Sequence, residues 1–516
     1  MMICTAAVCS AATAKQSRTF PEDFLFGTGT ASYQVEGGWD ADDKGENIWD
    51  YMTHNYPDAI SDRSNGDIAC DSYNSYKRDV EIMRELGLNT YRFSLSWSRI
   101  LPTGVPNNIS QAGIQYYNNL IDEMLKYNIE PLITLYHWDL PQTLQERGGF
   151  LNPLIAEWFE DFARVAFESF GDRVKYWLTF NEAYQICYEG YASVTKAPRL
   201  NAHGVGEYLC AKNLLLAHAR AYHAYNNDFR PTQGGIIGFT IAVDSVSPLT
   251  DSEEDKQAVE LYCQSAVSQY FHIILKHQIL LPAKQGYPRS RLTDFTDEER
   301  EFVRGTGDFF GVNHYTGALV SFSLWQPGNE PVPSTRDDIE VGTYAPDDWL
   351  QSASPWFRVR IYILYIVLRL VHDRYGTRVP IIVTENGWSS REGIVDEDRI
   401  DYHREALEGL LDALEEGVNL QGYYAWSLMD NFEWMAGYEE RFGLYEVDFE
   451  DPARTRTPRK SAFIYKQIVK TRQVDRSYEP DTVPILSSKF GNSKKLHAKS
   501  KNNGLHGIAS IEGGIL

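Results

Sequence analysis

The stretch YWLTFNEAY, residues 176–184, runs apolar as a buried strand does and then stops on Asn181-Glu182. The same ending recurs in VPIIVTENGW, residues 379–388, where the apolar run closes on Glu385-Asn386. A buried strand that ends twice on a carboxylate beside an amide predicts a shared polar site at strand ends. Six further short, β-rich apolar runs start at Phe24, Leu88, Glu130, Gly234, Phe309 and Leu420. Helical patterns lie between them, as at Asp71–Gly87, Ala112–Asn128 and Leu154–Gly171, two of which end on glycine. Strands alternating with helices predict parallel pairing through crossovers. Eight such units predict one (β/α)8 TIM barrel over residues 20–480, with its active site at the C-terminal ends of the strands.

The remaining chain has a different character. Residues 1–14 are small and apolar and end in Ala12-Thr13-Ala14, a cleavage-like pattern without a positive n-region. They predict a secretory signal peptide and a secreted protein, with an unstructured cytosolic leader as the alternative. Asn108-Ile109-Ser110 is a sequon, so N-glycosylation at Asn108 is expected. Residues 481–516 are rich in Lys, Ser, Asn and Gly with no apolar period, the composition of a disordered tail. Ile361–Leu370 is too short for a membrane span and is broken by arginine, so a buried helix is expected there. Cys70, Cys187, Cys210 and Cys263 show no C-x-x-C spacing. Buried free thiols are expected, with a disulfide open only to a secreted chain.

A net charge of −22 argues against nucleic acid and against anionic membranes as partners. Neither a phosphate loop nor an H-x-H metal cluster is found, so no cofactor and no metal are expected. The predicted strand ends do carry Gln34, Arg92, His137-Trp138, Asn181-Glu182, Asn313-His314-Tyr315, Glu385-Asn386 and Trp426, with Glu433-Trp434 just beyond. Each alone could be a hydrogen-bonded core residue or a solvated loop acid; seven strand ends doing so together point to a site. Two carboxylates at one barrel mouth suggest glycoside hydrolysis on a small β-glycoside or oligosaccharide.

The motifs FLFGTGTASYQVEGG (24–38), LYHWDLPQ (135–142), TFNE (179–182), NHYT (313–316), TENG (384–387) and AWSLMDNFEW (425–434) resemble those of the family 1 β-glycosidases, animal-type members especially. The resemblance runs from about Phe20 to Arg476. It implies a retaining β-glucosidase with Glu182 as acid/base and Glu385 as nucleophile. It implies that Gln34, His137, Asn181 and Glu433 bind sugar hydroxyls, that Trp426 lies under the sugar and that Trp434 bonds its 3-OH. Tyr315 and Arg92 would contact the nucleophile, Asn313 would support the site, and Trp356 would face the leaving group. A cis peptide at Trp426-Ser427 is also implied. The alternatives are a β-thioglucosidase of the myrosinase kind and a non-catalytic sugar-binding barrel. The chain departs from the family pattern at Ala183, where proline is usual, at 267–291 and at 358–370. The physiological substrate and the oligomeric state are not legible.

Overall fold

The computed structural model describes residues 18–263 and 295–481, apart from 327, 329–332, 361–362, 377–378 and 392. A first unit runs through Arg476; of the second, Ser477–Leu516, only residues 477–481 are described. The predicted leader, the divergent 267–291 segment and nearly all of the predicted tail lie outside the described residues.

Eight parallel strands form a closed barrel. They are β1 (Leu25–Gly29), β2 (Thr90–Ser94), β3 (Glu130–Tyr136), β4 (Tyr176–Asn181), β5 (Ile236–Ala242), β6 (Phe309–His314), β7 (Ile381–Asn386) and β8 (Leu420–Trp426). Each pairs with its neighbours in chain order, and β1 closes the ring by pairing with β8 from Leu25↔Gly422 to Gly29↔Trp426. A helix follows each strand: α1 (Ser72–Leu86), α2 (Gln111–Leu125), α3 (Ile155–Phe170), α4 (Gly206–Ala224), α5 (Asp297–Val303), α6 (Ile363–Tyr375), α7 (Glu397–Glu415) and α8 (Lys460–Thr471). Helix α3 shows why these segments are helical. Ile155, Phe159, Phe162, Ala163, Ala166, Phe167 and Phe170 recur at helical spacing and are buried. Helix α1 stops at Gly87, whose φ of 77° is a left-handed cap that glycine takes without steric cost.

Leu132, Leu178, Phe309, Ile382 and Tyr424 pack together from five different strands, filling part of the barrel interior. Tyr424 satisfies its hydroxyl on Thr90 Oγ1 at 2.7 Å. With the interior plugged, a ligand can enter only at an end. Long connections follow the strand C-termini: 30–71 after β1, 182–205 after β4, the described residues of 315–360 after β6 and 427–459 after β8. They build the rim.

Of the 361–370 segment, residues 363–370 form the start of α6. Ile363, Leu364, Val367, Leu368 and Val371 are buried, while Ile366 faces outward. The expectation of free thiols holds for Cys70 and Cys263 and fails for the other pair. Cys187, in the turn after β4, and Cys210, on α4, form a disulfide with Cα atoms 5.4 Å apart. Their 23-residue separation hides a proximity that only the β4–α4 crossover creates. Among the described residues, no helix is long and apolar enough to cross a membrane.

Candidate active site

The strand that leads into Glu182 and the strand that carries Glu385 both depart from regular pairing shortly before those residues. On β4 the register with β5 shifts between Leu178 and Asn181. On β7 it shifts between Val383 and Glu385 against β6, and between Val383 and Asn386 against β8. Irregular pairing re-aims side chains that a straight strand would bury between its neighbours. Glu182 goes further: its φ is 55°, in the left-handed region that a non-glycine residue seldom occupies. Its amide donates to Thr240 O at 3.0 Å, and Ala183 behind it is fully buried.

Glu385 receives a donor on each oxygen. Arg92 Nη1 lies 2.5 Å from Oε1, and the Tyr315 hydroxyl donates to Oε2 at 2.7 Å. Arg92 is almost fully buried and has its other donors placed on Thr134 Oγ1, Thr384 O and Asn181 Oδ1. It therefore joins β2, β3, β4 and β7 in one network. Burial, and after it the charge of Glu385, pushes the Tyr315 phenol well above its usual range, so it remains a donor.

Glu182 has a different environment. Asn313 Nδ2 donates to its Oε1 at 2.8 Å and to Asn181 Oδ1 at 3.0 Å. Burial first, and then the charge of Glu385, pushes the Glu182 carboxyl up to about 8. Asn181 spends its carbonyl oxygen on Arg92 and Asn313 and turns Nδ2 toward His137 Nε2 at 3.0 Å. Burial drives His137 well below its ordinary value, so the imidazole is neutral.

These groups open on a cavity of about 1420 Å³ at the strand C-termini. His137, Asn181, Glu182, Asn313, Tyr315, Trp356, Glu385, Trp426, Glu433 and Trp434 line it. Gln34 and Arg92 stand behind the wall. Gln34 is fully buried and donates to Asn431 Oδ1 at 2.8 Å, to Phe432 O at 2.9 Å and to Glu433 Oε2 at 3.4 Å. Burial, and then Glu440, pushes Glu433 up to about 8. The His137 ring stacks at 5.9 Å from Trp426 and 6.0 Å from Trp434, giving one side of the cavity an aromatic wall. The Trp426-Ser427 peptide is cis. Trp356 sits at the rim, 53% exposed, edge-on to Tyr315 at 6.0 Å.

Sequence reasoning missed the Glu189–Lys196 pair, which also lines the cavity and lies in the connection after β4, Glu189 on the short helical turn Gln185–Gly190, with no periodic or motif signal. It missed Thr134 and Thr384 as well, which steady Arg92 and Asn313 from inside β3 and β7. Among the described residues, no cluster of His, Cys, Asp and Glu is arranged to hold a metal.

Comparison with known proteins agrees with this geometry. The family model described as Glycosyl hydrolase family 1 matches residues 16–474. Myrosinase 1 of Brevicoryne brassicae is 43% identical over 464 residues, covering 88% of this chain and 98% of the relative. The cytosolic beta-glucosidase of Homo sapiens is 40% identical over 470 residues, covering 88% and 99%. Among solved structures, aphid myrosinase superposes with a TM-score of 0.84 at 42% identity, covering 88% of this chain and 100% of that one. A family 1 β-glucosidase from Thermotoga maritima gives 0.81 at 35%, covering 89% and 99%. A match that spans the barrel, with relatives aligned along nearly their whole length, places the chain in glycosyl hydrolase family 1 as an O-glycosyl hydrolase.

Proposed function

We propose that the protein is a retaining β-glucosidase that removes terminal non-reducing β-D-glucosyl residues from short β-glucosides by double displacement. The observation that carries this reading is the unequal setting of the two carboxyls. Glu385 accepts from Arg92 and Tyr315, whereas Glu182 is pushed up to about 8 and meets one neutral amide. Two carboxyls driven apart in this way divide into nucleophile and acid.

In the first step Glu385 attacks the anomeric carbon while Glu182 gives its proton to the departing glycosidic oxygen. The C–O bond to the leaving group breaks and an ester to Glu385 forms. Esterification removes the charge that helped Glu182 hold its proton, so Glu182 acidifies. It then takes a proton from water, the water oxygen attacks the same carbon, and Glu385 leaves as carboxylate. The two inversions give net retention, which calls for carboxyls about 5 Å apart. Asn181 Nδ2, fixed by the bonds to its own oxygen, is suited to the sugar 2-OH. His137 and Glu433 take further hydroxyls, with Gln34 holding Glu433 from behind. Trp426 supplies an apolar platform, Trp434 a second contact, and Trp356 a wall for the leaving group.

The similarity to myrosinases favours a β-thioglucosidase as the second reading. Retention of Glu182 does not separate the two, since an acid assists departure of either oxygen or sulfur. A non-catalytic barrel would turn over neither. For the compartment, the leader, the sequon with exposed Asn108 and the Cys187–Cys210 disulfide support secretion. The test is a panel on purified protein: aryl β-glucoside, β-galactoside and β-fucoside, cellobiose, sophorose and a glucosinolate. Cellobiose and the aryl β-glucoside are expected to give the highest kcat/KM, with related glycones tolerated. Turnover confined to the glucosinolate would move the protein to the second reading.

A further inference from the structure

The cavity holds an ion pair that the double displacement does not use. Lys196 Nζ lies 2.7 Å from Glu189 Oε2 and 3.9 Å from the centroid of the Trp138 ring. Both charged side chains belong to the connection after β4 and keep only 20% and 28% exposure, Lys196 first. Trp138 donates its indole N–H to the carbonyl of Asn181 at 2.9 Å, one residue before Glu182. The cation is thus braced on the strand end that carries the proposed acid. An ion pair on open surface is screened and does little, whereas charges inside a low-dielectric cleft act over several ångströms.

We propose that Lys196 and Glu189 form a positioning pair for the Glu182 proton, the cation favouring its release and the anion its retention. Their balance then sets the pH at which Glu182 passes from acid to base. The proposal rests on Glu182 being the acid/base. The groups that face Glu182 are Glu385 from β7, Tyr315 just past β6, Lys196 and Glu189 from its own connection, and the neutral Asn313. Only Lys196 among these brings a positive charge; Arg92 is committed to Glu385 and Asn181. The electrostatic directions agree with the geometry. Lys196 opposes the upward displacement of Glu182 and Glu189 adds to it, and Lys196 also opposes that of Glu433, where Glu440 and Glu385 act upward. Without Lys196, the charges of Glu385 and Glu189 would both act to keep the proton on Glu182, which must give it up to serve as base in the second step.

The test compares pH profiles of kcat/KM for Lys196→Met and Glu189→Gln, with cellobiose and an aryl β-glucoside as substrates. Lys196→Met is expected to move the alkaline limb upward by roughly half to one pH unit. Glu189→Gln is expected to move it downward, and Lys196→Arg to keep it near the wild-type position. Both charge-removing variants break the same ion pair. A role limited to bracing the loop would move both limbs the same way, or change only KM and Tm, and either outcome overturns the proposal. The control is Glu182→Ala with the aryl glucoside. If the alkaline limb survives there, the assignment of Glu182 fails and takes this inference with it. If the limb disappears there but ignores both charge variants, the inference alone fails.

Discussion

At Glu182 the backbone and the charge are set together. A left-handed φ and a register shift just upstream turn the side chain into the cavity, where burial and Glu385 keep it protonated. That has a consequence for stability. The folded protein holds a proton on Glu182 up to about pH 8, whereas an ordinary glutamate loses it near 4.5. Between those values the native state binds more protons than the unfolded chain, so stability falls as pH rises through the window. Glu182→Gln removes this contribution. Its Tm is expected to fall less than the wild-type Tm between pH 5 and pH 8, and parallel curves would show that Glu182 is not displaced upward. His137, Asn181, Glu182, Asn313, Tyr315, Glu385, Trp426, Glu433 and Trp434 on the cavity wall were legible because each closes a strand or the turn just beyond it. Trp356 was found through the resemblance alone. Gln34 and Arg92 were legible as site residues, but their places behind the wall were not, since a motif does not say which side chain stands in front. Lys196 and Glu189 were invisible because a charge in an aperiodic connection reads as solvated surface.

The elements themselves were more legible than their ends. All eight strands form where the apolar runs lie, and the three quoted helical patterns match α1, α2 and α3 to within a few residues. The register shifts on β4 and β7 left no mark, because a shift in pairing needs no particular residue type. Pairing of Cys187 with Cys210 was equally hidden, since it depends on how α4 returns along the barrel. The glycine of TENG is a case where an element explains a motif. A Cβ built on Gly387 would sit 1.8 Å from Trp426 O, against backbone that cannot yield as a side chain can. The chain after Glu385 thus passes directly against the turn that presents Trp426. Gly387→Ala must push β7 and the end of β8 apart, and positioning errors of this size cost on the order of 10²-fold in rate. A loss of about that size in kcat/KM is expected, with the far-ultraviolet spectrum unchanged. Activity near wild type in Gly387→Ala would mean that the close approach does not position the site.

For the whole molecule, the alternation of eight strands with helices was sufficient to predict a closed barrel, because parallel neighbours need crossovers and eight units complete a ring. The pattern also predicted that chemistry would sit at one end, and the plugged interior with long connections after β1, β4, β6 and β8 gives the physical reason. Net charge and composition argue against some partner classes without naming a substrate, since they do not record which hydroxyls a cavity meets. The central claim is that Glu182 and Glu385 divide one displacement between them, and chemical rescue of Glu182→Ala tests it most directly. Cellobiose, whose leaving group must be protonated, is expected to lose roughly 10²–10⁴-fold in kcat/KM. An activated aryl β-glucoside is expected to lose far less in forming the intermediate, and added azide to restore its turnover, with β-glucosyl azide as the product. Cellobiose turnover close to wild type, or an α-glucosyl azide, would contradict the account.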